Sequence, residues 1–192
     1  MNYTDPKSFE KAKKAYDNIQ VLLNGTVDAF LAENPDSDFD RGIFLRQYDY
    51  ALQCMLLAVV LGDGVAHPEE VDAIHAIAQN GDLMQMISNE RVTWSWEEHA
   101  EASPYLVTKM QLTLEERLQD IVDDFSALII VSASQTNADA YIDLLLENTR
   151  RIAEGIAGVD GALDPNESDI ISVKIKEIFL ESLRRAEMKL RH

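Results

Sequence analysis

The sequence repeats apolar residues three and four positions apart over long stretches, a spacing that places them on one face of an α-helix. The first stretch follows Asp5 and Pro6, which are typical of a helix start, and it stops at Asn34 and Pro35. No stretch alternates apolar and polar residues for long enough to predict a strand. The pattern therefore predicts an all-α protein. The apolar positions of the first predicted helix are Phe9, Ala12, Tyr16, Ile19, Leu23 and Phe30.

A second helix is predicted at about 39–61. Its last turns, residues 55–61, are apolar on all sides, so we expect that end of the helix to lie within the core. The same periodicity continues through the rest of the chain, apart from residues 83–112. Further helices are predicted from Pro68 to about 80, after Thr113, over 142–156 and from Pro165 onward.

The predicted helices form a single domain that spans residues 1–192. We expect a bundle of about six to eight helices, since proline and glycine are sparse. Residues 83–112 contain Trp94 and Trp96 among polar residues and follow no clear period. Three interpretations are open for this segment, a helix, a short hairpin or an insertion into the bundle, and we adopt the insertion as our prediction.

The net charge of the chain excludes some classes of binding partner. The chain has 34 acidic and 17 basic residues, for a net charge of −17, which repels phosphate backbones and anionic headgroups. Nucleic-acid partners are therefore not expected. Residues 55–61 form too short an apolar run to span a bilayer, and a single cysteine, Cys54, cannot form an internal disulfide. Without the pattern of a signal peptide at its start, the sequence favours a cytoplasmic protein.

A short acidic pattern occurs twice in the chain, 97 residues apart. Residues 63–70 (DGVAHPEE) and 160–167 (DGALDPNE) share Asp, Gly, Pro and Glu at the same positions. Each copy follows the apolar end of one predicted helix and leads into the next. We interpret the copies as two helix–turn–helix units, at roughly 40–82 and 138–182.

Two interpretations of the repeated pattern are open. In the first, Asp-Gly forms a tight turn, proline begins the helix, and the carboxylates cap free backbone N–H groups. In the second, the crowded carboxylates bind Ca²⁺ or Mg²⁺, which prefer oxygen ligands. A standard EF-hand loop is excluded, because its first ligand positions would fall at Ile156 and Val59. The candidate metal ligands are Asp63, Glu70, Asp160, Asp164 and Glu167.

An apolar helix followed by Asp-Gly-x-x-x-x-x-Glu resembles the TerB-like domains of tellurite-resistance and related bacterial proteins. The resemblance covers both helix–turn–helix units. It implies an all-helical domain with an acidic, metal-binding face and a role in stress response or as a scaffold at the inner face of the membrane. The two copies differ at one position, since His67 in the first stands where Asp164 stands in the second. The positions that carry over from the family are Asp63, Glu70, Asp160 and Glu167.

No catalytic motif accompanies the acidic pattern. The sequence has no nucleophile elbow, phosphate-binding glycine loop or paired-cysteine zinc spacing. Asp72 and His75 share one helix face, but a di-iron bundle requires a second such pair and two further glutamates. We therefore expect a non-enzymatic domain that binds a divalent cation and a protein partner. The alternatives are a metal-free interaction or assembly module that uses the tryptophan segment, and a metal-dependent hydrolase.

Overall fold

The computed structural model describes residues 3–60, 67–77, 119–132, 137–161, 163 and 165–191. Within these ranges the chain forms six helical segments and no strand, which confirms the predicted all-α class for this part of the molecule. The interpreted insertion at 83–112 lies outside the described residues. The helices are α1 (Pro6–Glu33), α2 (Arg41–Val60), α3 (Pro68–Ile77), α4 (119–132), α5 (Ala138–Ala157) and α6 (Pro165–Leu190).

Helix α1 begins and ends where the sequence pattern predicts. The Asp5 carboxylate accepts a hydrogen bond from the backbone N–H of Lys7 at 3.1 Å, so it satisfies one of the free donors of the first turn. The other end is closed by Asn34, whose backbone N–H donates to the carbonyl of Phe30 at 2.9 Å. Local sequence signals therefore define both ends of this helix.

Helices α1 and α5 pack antiparallel and form the most extensive interface among the described helices. Their backbones approach closely at Gly155. A Cβ at this position would lie 2.8 Å from the Cβ of Ala12 and 2.7 Å from the carbonyl oxygen of Ser8. Farther along, the Asn18 amide donates to the Asn148 amide oxygen at 3.3 Å. The missing side chain at Gly155 thus allows the helices to lie in close contact.

The C-terminal half of α2 lies at the centre of the core. Residues 51–57 are all buried. The predicted burial of 55–61 is thus confirmed for 55–57, the part of that run whose side chains are described. An aromatic series connects it to two later helices: the ring centroids of Tyr48 and Phe125 are 5.6 Å apart, and those of Phe125 and Phe179 are 5.0 Å apart. The core therefore joins α2, α4 and α6, which are distant in sequence.

Candidate acidic junction

The five predicted metal ligands are only partly described. Asp63 and Asp164 lie outside the described residues, and Glu167 is in the first turn of α6, where its side chain is also outside them. Glu70 is in the first turn of α3, and its side chain is 2% exposed. Asp160 is half-buried in the turn that follows α5.

The N-terminal segment before α1 contacts both helix–turn–helix units. The Thr4 hydroxyl donates to the carboxylate of Glu69, at the start of α3, over 3.4 Å. The Thr4 methyl carbon would be 2.8 Å from a Cβ at Gly161, in the second Asp-Gly turn. The backbone N–H of Asp5 also donates to the carbonyl of Val159 at 2.9 Å. We call the region formed by residues 3–5, 67–72 and 158–161 the acidic junction.

The second Asp-Gly pair forms the left-handed turn that its composition favours. Gly161 has a φ of +102°, which residues with a side chain rarely adopt. Its backbone N–H donates to the carbonyl of Gly158 at 3.2 Å, and the N–H of Val159 donates to the carbonyl of Ile156 at 3.1 Å. The chain thereby reverses directly after α5 and places Asp160 beside the N-terminal segment.

The start of α3 presents several carboxylates to the acidic junction. Glu69 and Glu70 occupy its first turn, where negative charge interacts favourably with the helix dipole. The backbone N–H groups of Glu70 and Val71 donate to the carbonyl of His67, at 3.1 and 3.3 Å, so His67 precedes the helix as a cap residue. Burial, together with the nearby charge of Asp72, raises the pKa of the Tyr3 hydroxyl. The carboxylates of α3 therefore exert their negative electrostatic potential on the N-terminal segment.

The donor chemistry of the acidic junction suits a hard cation, since its side chains offer carboxylate oxygens. The described part of the chain contains no cluster of three His, Cys, Asp or Glu side chains that could hold a metal ion. Of the five predicted ligands, only the side chains of Glu70 and Asp160 lie within the described residues, and they belong to no such cluster there.

Sequence reasoning did not identify Thr4 as part of this region. A threonine two residues before a helix carries no signal of its own, and its two contacts are with residues 65 and 157 positions away. Its only local distinction is that it directly precedes the N-cap residue Asp5, whose backbone N–H donates to the carbonyl of Val159. Contacts that join sequence-distant elements are set by packing.

Comparisons with models of known protein families, with characterised proteins and with solved structures found no match to this chain. No described helix is both long enough and apolar enough to cross a membrane.

Proposed function

We propose that this chain is a non-enzymatic, TerB-like domain that binds a divalent cation, Ca²⁺ or Mg²⁺, at the acidic junction. The observation that supports the proposal is the double contact of Thr4, which touches Glu69 at the start of α3 and Gly161 in the second Asp-Gly turn. One short segment thus contacts the end of the first acidic sequence and the start of the second. The proposed ligands are Asp63, Glu70, Asp160, Asp164 and Glu167.

Electrostatics supports the same proposal. Carboxylates at the start of α3 and near the start of α6 interact favourably with the helix dipoles, so the chain tolerates them without a cation. Their mutual repulsion persists, because the chain carries a net charge of −17. A bound divalent cation would neutralise part of that charge and stabilise the folded state.

The proposal is tested by thermal unfolding with CaCl₂, with MgCl₂ and with chelator, all at one ionic strength. At a cation concentration about 100 times Kd, binding adds about 2.7 kcal/mol to the free energy of unfolding. For a chain of this size we expect the Tm to rise by roughly 5–10 °C. A Tm that matches the chelator sample in both salts would contradict the proposal.

A matched pair of variants localises the effect. The double variant Asp160→Asn, Glu167→Gln should lose most of the cation-dependent Tm shift. The control, Asp36→Asn, Glu33→Gln, removes the same two charges from exposed positions at the end of α1 and the loop that follows, so it should keep the shift. Equal losses in both variants would indicate general charge screening instead of a site at the acidic junction.

A metal-free interaction or assembly module is the second candidate. It is favoured by apolar side chains on the exposed surface of α6, where Val173 and Leu180 are each 55% exposed and lie seven residues apart on one face. For self-assembly, sedimentation equilibrium should show a mass that rises with concentration and that falls in Leu180→Glu. Val21→Glu is the control, because Val21 is exposed on α1. A monomer at all concentrations would contradict self-assembly.

A further inference from the structure

A groove with a volume of about 540 Å³ runs between α1 and α5, on the side of their contact that faces solvent. Small residues, including Ala15 and Gly155, are among those that line it. Its volume falls within the range of about 300–1,000 Å³ that is typical of small-molecule sites. The groove shares Asp5, Gly158 and Gly161 with the acidic junction, but none of the five predicted metal ligands lines it.

Positive charge is concentrated at this groove, although the chain has twice as many acids as bases. Lys11 and Lys14 from α1 and Arg151 from α5 line it. Within the described part of the chain, neither lysine forms an ion pair. Arg151 is 57% exposed and pairs through its Nε with Glu147 at 2.9 Å, so its terminal nitrogens can contact a ligand.

The two acidic residues of the groove already have partners. The Asp5 carboxylate caps α1 and accepts a hydrogen bond from the Ser8 hydroxyl at 2.9 Å, and that bond is the main cause of its lowered pKa. Glu154 pairs with Arg150 at 3.0 Å. Glu154 is thus neutralised by Arg150, whereas Asp5 keeps its negative charge and interacts with Lys11, which also lowers its pKa. The three cations of the groove still outnumber this one carboxylate, so the groove can attract an anion from solution.

Two amide side chains provide neutral hydrogen-bonding groups in the same groove. Asn148 is 5% exposed, and its amide nitrogen donates to the carbonyl of Leu144 at 2.7 Å. Its amide oxygen accepts from Asn18, whose own oxygen and second N–H remain for other partners. An organic molecule could use these groups while its anionic part contacts the lysines.

We propose that the groove binds a small organic phosphate about the size of a nucleotide. Lys11, Lys14 and Arg151 contact the phosphate oxygens, since charge-assisted hydrogen bonds from lysine and arginine are the usual means of phosphate recognition. The Asn18 and Asn148 amides contact the organic part. The net charge of −17 disfavours a nucleic acid as the source of the phosphate. The inference is independent of the proposed cation site, because it uses none of the predicted metal ligands.

The experiment is a ¹H–¹⁵N NMR titration with ADP and with inorganic pyrophosphate, in chelator and at constant ionic strength. Chelator removes divalent cations, so failure of the proposed cation function would not affect the result. We expect saturable shifts of the backbone amides near Lys11, Lys14 and Arg151. A parallel sedimentation assay with phosphatidylglycerol vesicles tests a lipid headgroup as the alternative source of phosphate.

Variants test the role of the charges. Lys11→Gln, Lys14→Gln should raise Kd at least about tenfold, as expected for the loss of one charge-assisted contact or more. The control Lys13→Gln, Lys176→Gln removes two exposed lysines that do not line the groove, and its Kd should stay within about twofold. Circular dichroism verifies that both variants are folded.

Three results would overturn the proposal. The first is the absence of saturable shifts with either probe up to about 10 mM, which is above the Kd expected of a specific small-molecule site. The second is an equal loss of affinity in the control variant. The third is binding to vesicles alone, which would assign the groove to a membrane surface.

Discussion

The Tyr16 hydroxyl on α1 donates a hydrogen bond of 2.9 Å to the carboxylate of Asp49 on α2. The Gln20 side chain donates to the same oxygen at 3.0 Å. Asp49 is 2% exposed, and a buried carboxylate is costly unless its hydrogen bonds are made. Burial and the nearby Asp49 charge raise the pKa of Tyr16. The hydroxyl therefore stays protonated and remains a donor, and the pair fixes the position of α1 relative to α2.

We predict that Asp49→Ala lowers the free energy of unfolding by about 2–4 kcal/mol, because it leaves the partly buried Tyr16 and Gln20 donors without their acceptor. Urea denaturation monitored by circular dichroism measures the change. The control is Asp17→Ala, at an exposed position on α1, which should change stability by less than about 0.5 kcal/mol. Equal effects of the two variants would show that the buried hydrogen bonds contribute nothing.

Gly155→Ala should destabilise the protein by about 1–3 kcal/mol. The added Cβ would lie 2.7 Å from the Ser8 carbonyl oxygen and 2.8 Å from the Ala12 Cβ, so α1 and α5 must separate. Gly25→Ala is the matched control, because nothing lies within 4 Å of its Cβ position on α1. It should stabilise the protein by about 0.5–1 kcal/mol through helix propensity. Thermal unfolding of the two variants should therefore shift in opposite directions, and shifts of the same sign would contradict the close helix contact.

Two neighbouring carboxylates on α4 should have opposite effects on stability. Burial, with contributions from Asp120 and Asp123, raises the pKa of Asp124 to about 6. Because its pKa is raised, the folded protein binds the Asp124 proton more tightly than the unfolded chain does. The stability that this proton contributes is fully present below the unfolded pKa of 3.8 and is lost as pH rises through about 6. Asp124→Asn should therefore be more stable than the parent at pH 7, by about 1–2 kcal/mol after solvent screening, and equal to it near pH 3.

Asp123 provides the contrasting case. Its slight burial raises its pKa, but hydrogen bonds from Arg185 and Lys189 on α6 outweigh this effect and lower the pKa. The ionised Asp123 side chain therefore contributes to stability above its unfolded pKa of 3.8, and this contribution is lost as pH falls through its lower pKa in the folded protein. Asp123→Asn should cost a few tenths of a kcal/mol at pH 7, since the Asp123 side chain is 52% exposed and solvent screens its ion pairs. Denaturation curves between pH 3 and 7 test both signs, and a stabilising Asp123→Asn would rule out the ion pairs.

Cys54 should react slowly with thiol reagents in the folded protein. Its side chain is fully buried on α2, and a buried thiol reacts only after local or global opening. We expect labelling by an aromatic disulfide reagent to be at least about 100-fold faster in 8 M urea than in buffer. Rapid labelling without denaturant would contradict the burial of this part of α2.

Helix boundaries could be predicted wherever the signal is local. Asp5 with Pro6 and Asn34 define α1, and the apolar run 55–61 predicts a fully buried segment, which is observed at 55–57, because capping and periodicity act within a few residues. The role of Asp49 could not be predicted in this way. Its donors, Tyr16 and Gln20, lie on another helix, about 30 positions away.

The sequence by itself determined the all-α class, the ends of α1 and the left-handed turn at Gly161, since each depends on backbone preferences of adjacent residues. Only the tertiary structure decided that Thr4 lies between Glu69 and Gly161, and that Lys11 and Arg151 line one groove. Those relationships follow from the close packing of α1 against α5. That packing buries apolar surface without regard to distance along the chain, so no local pattern records it.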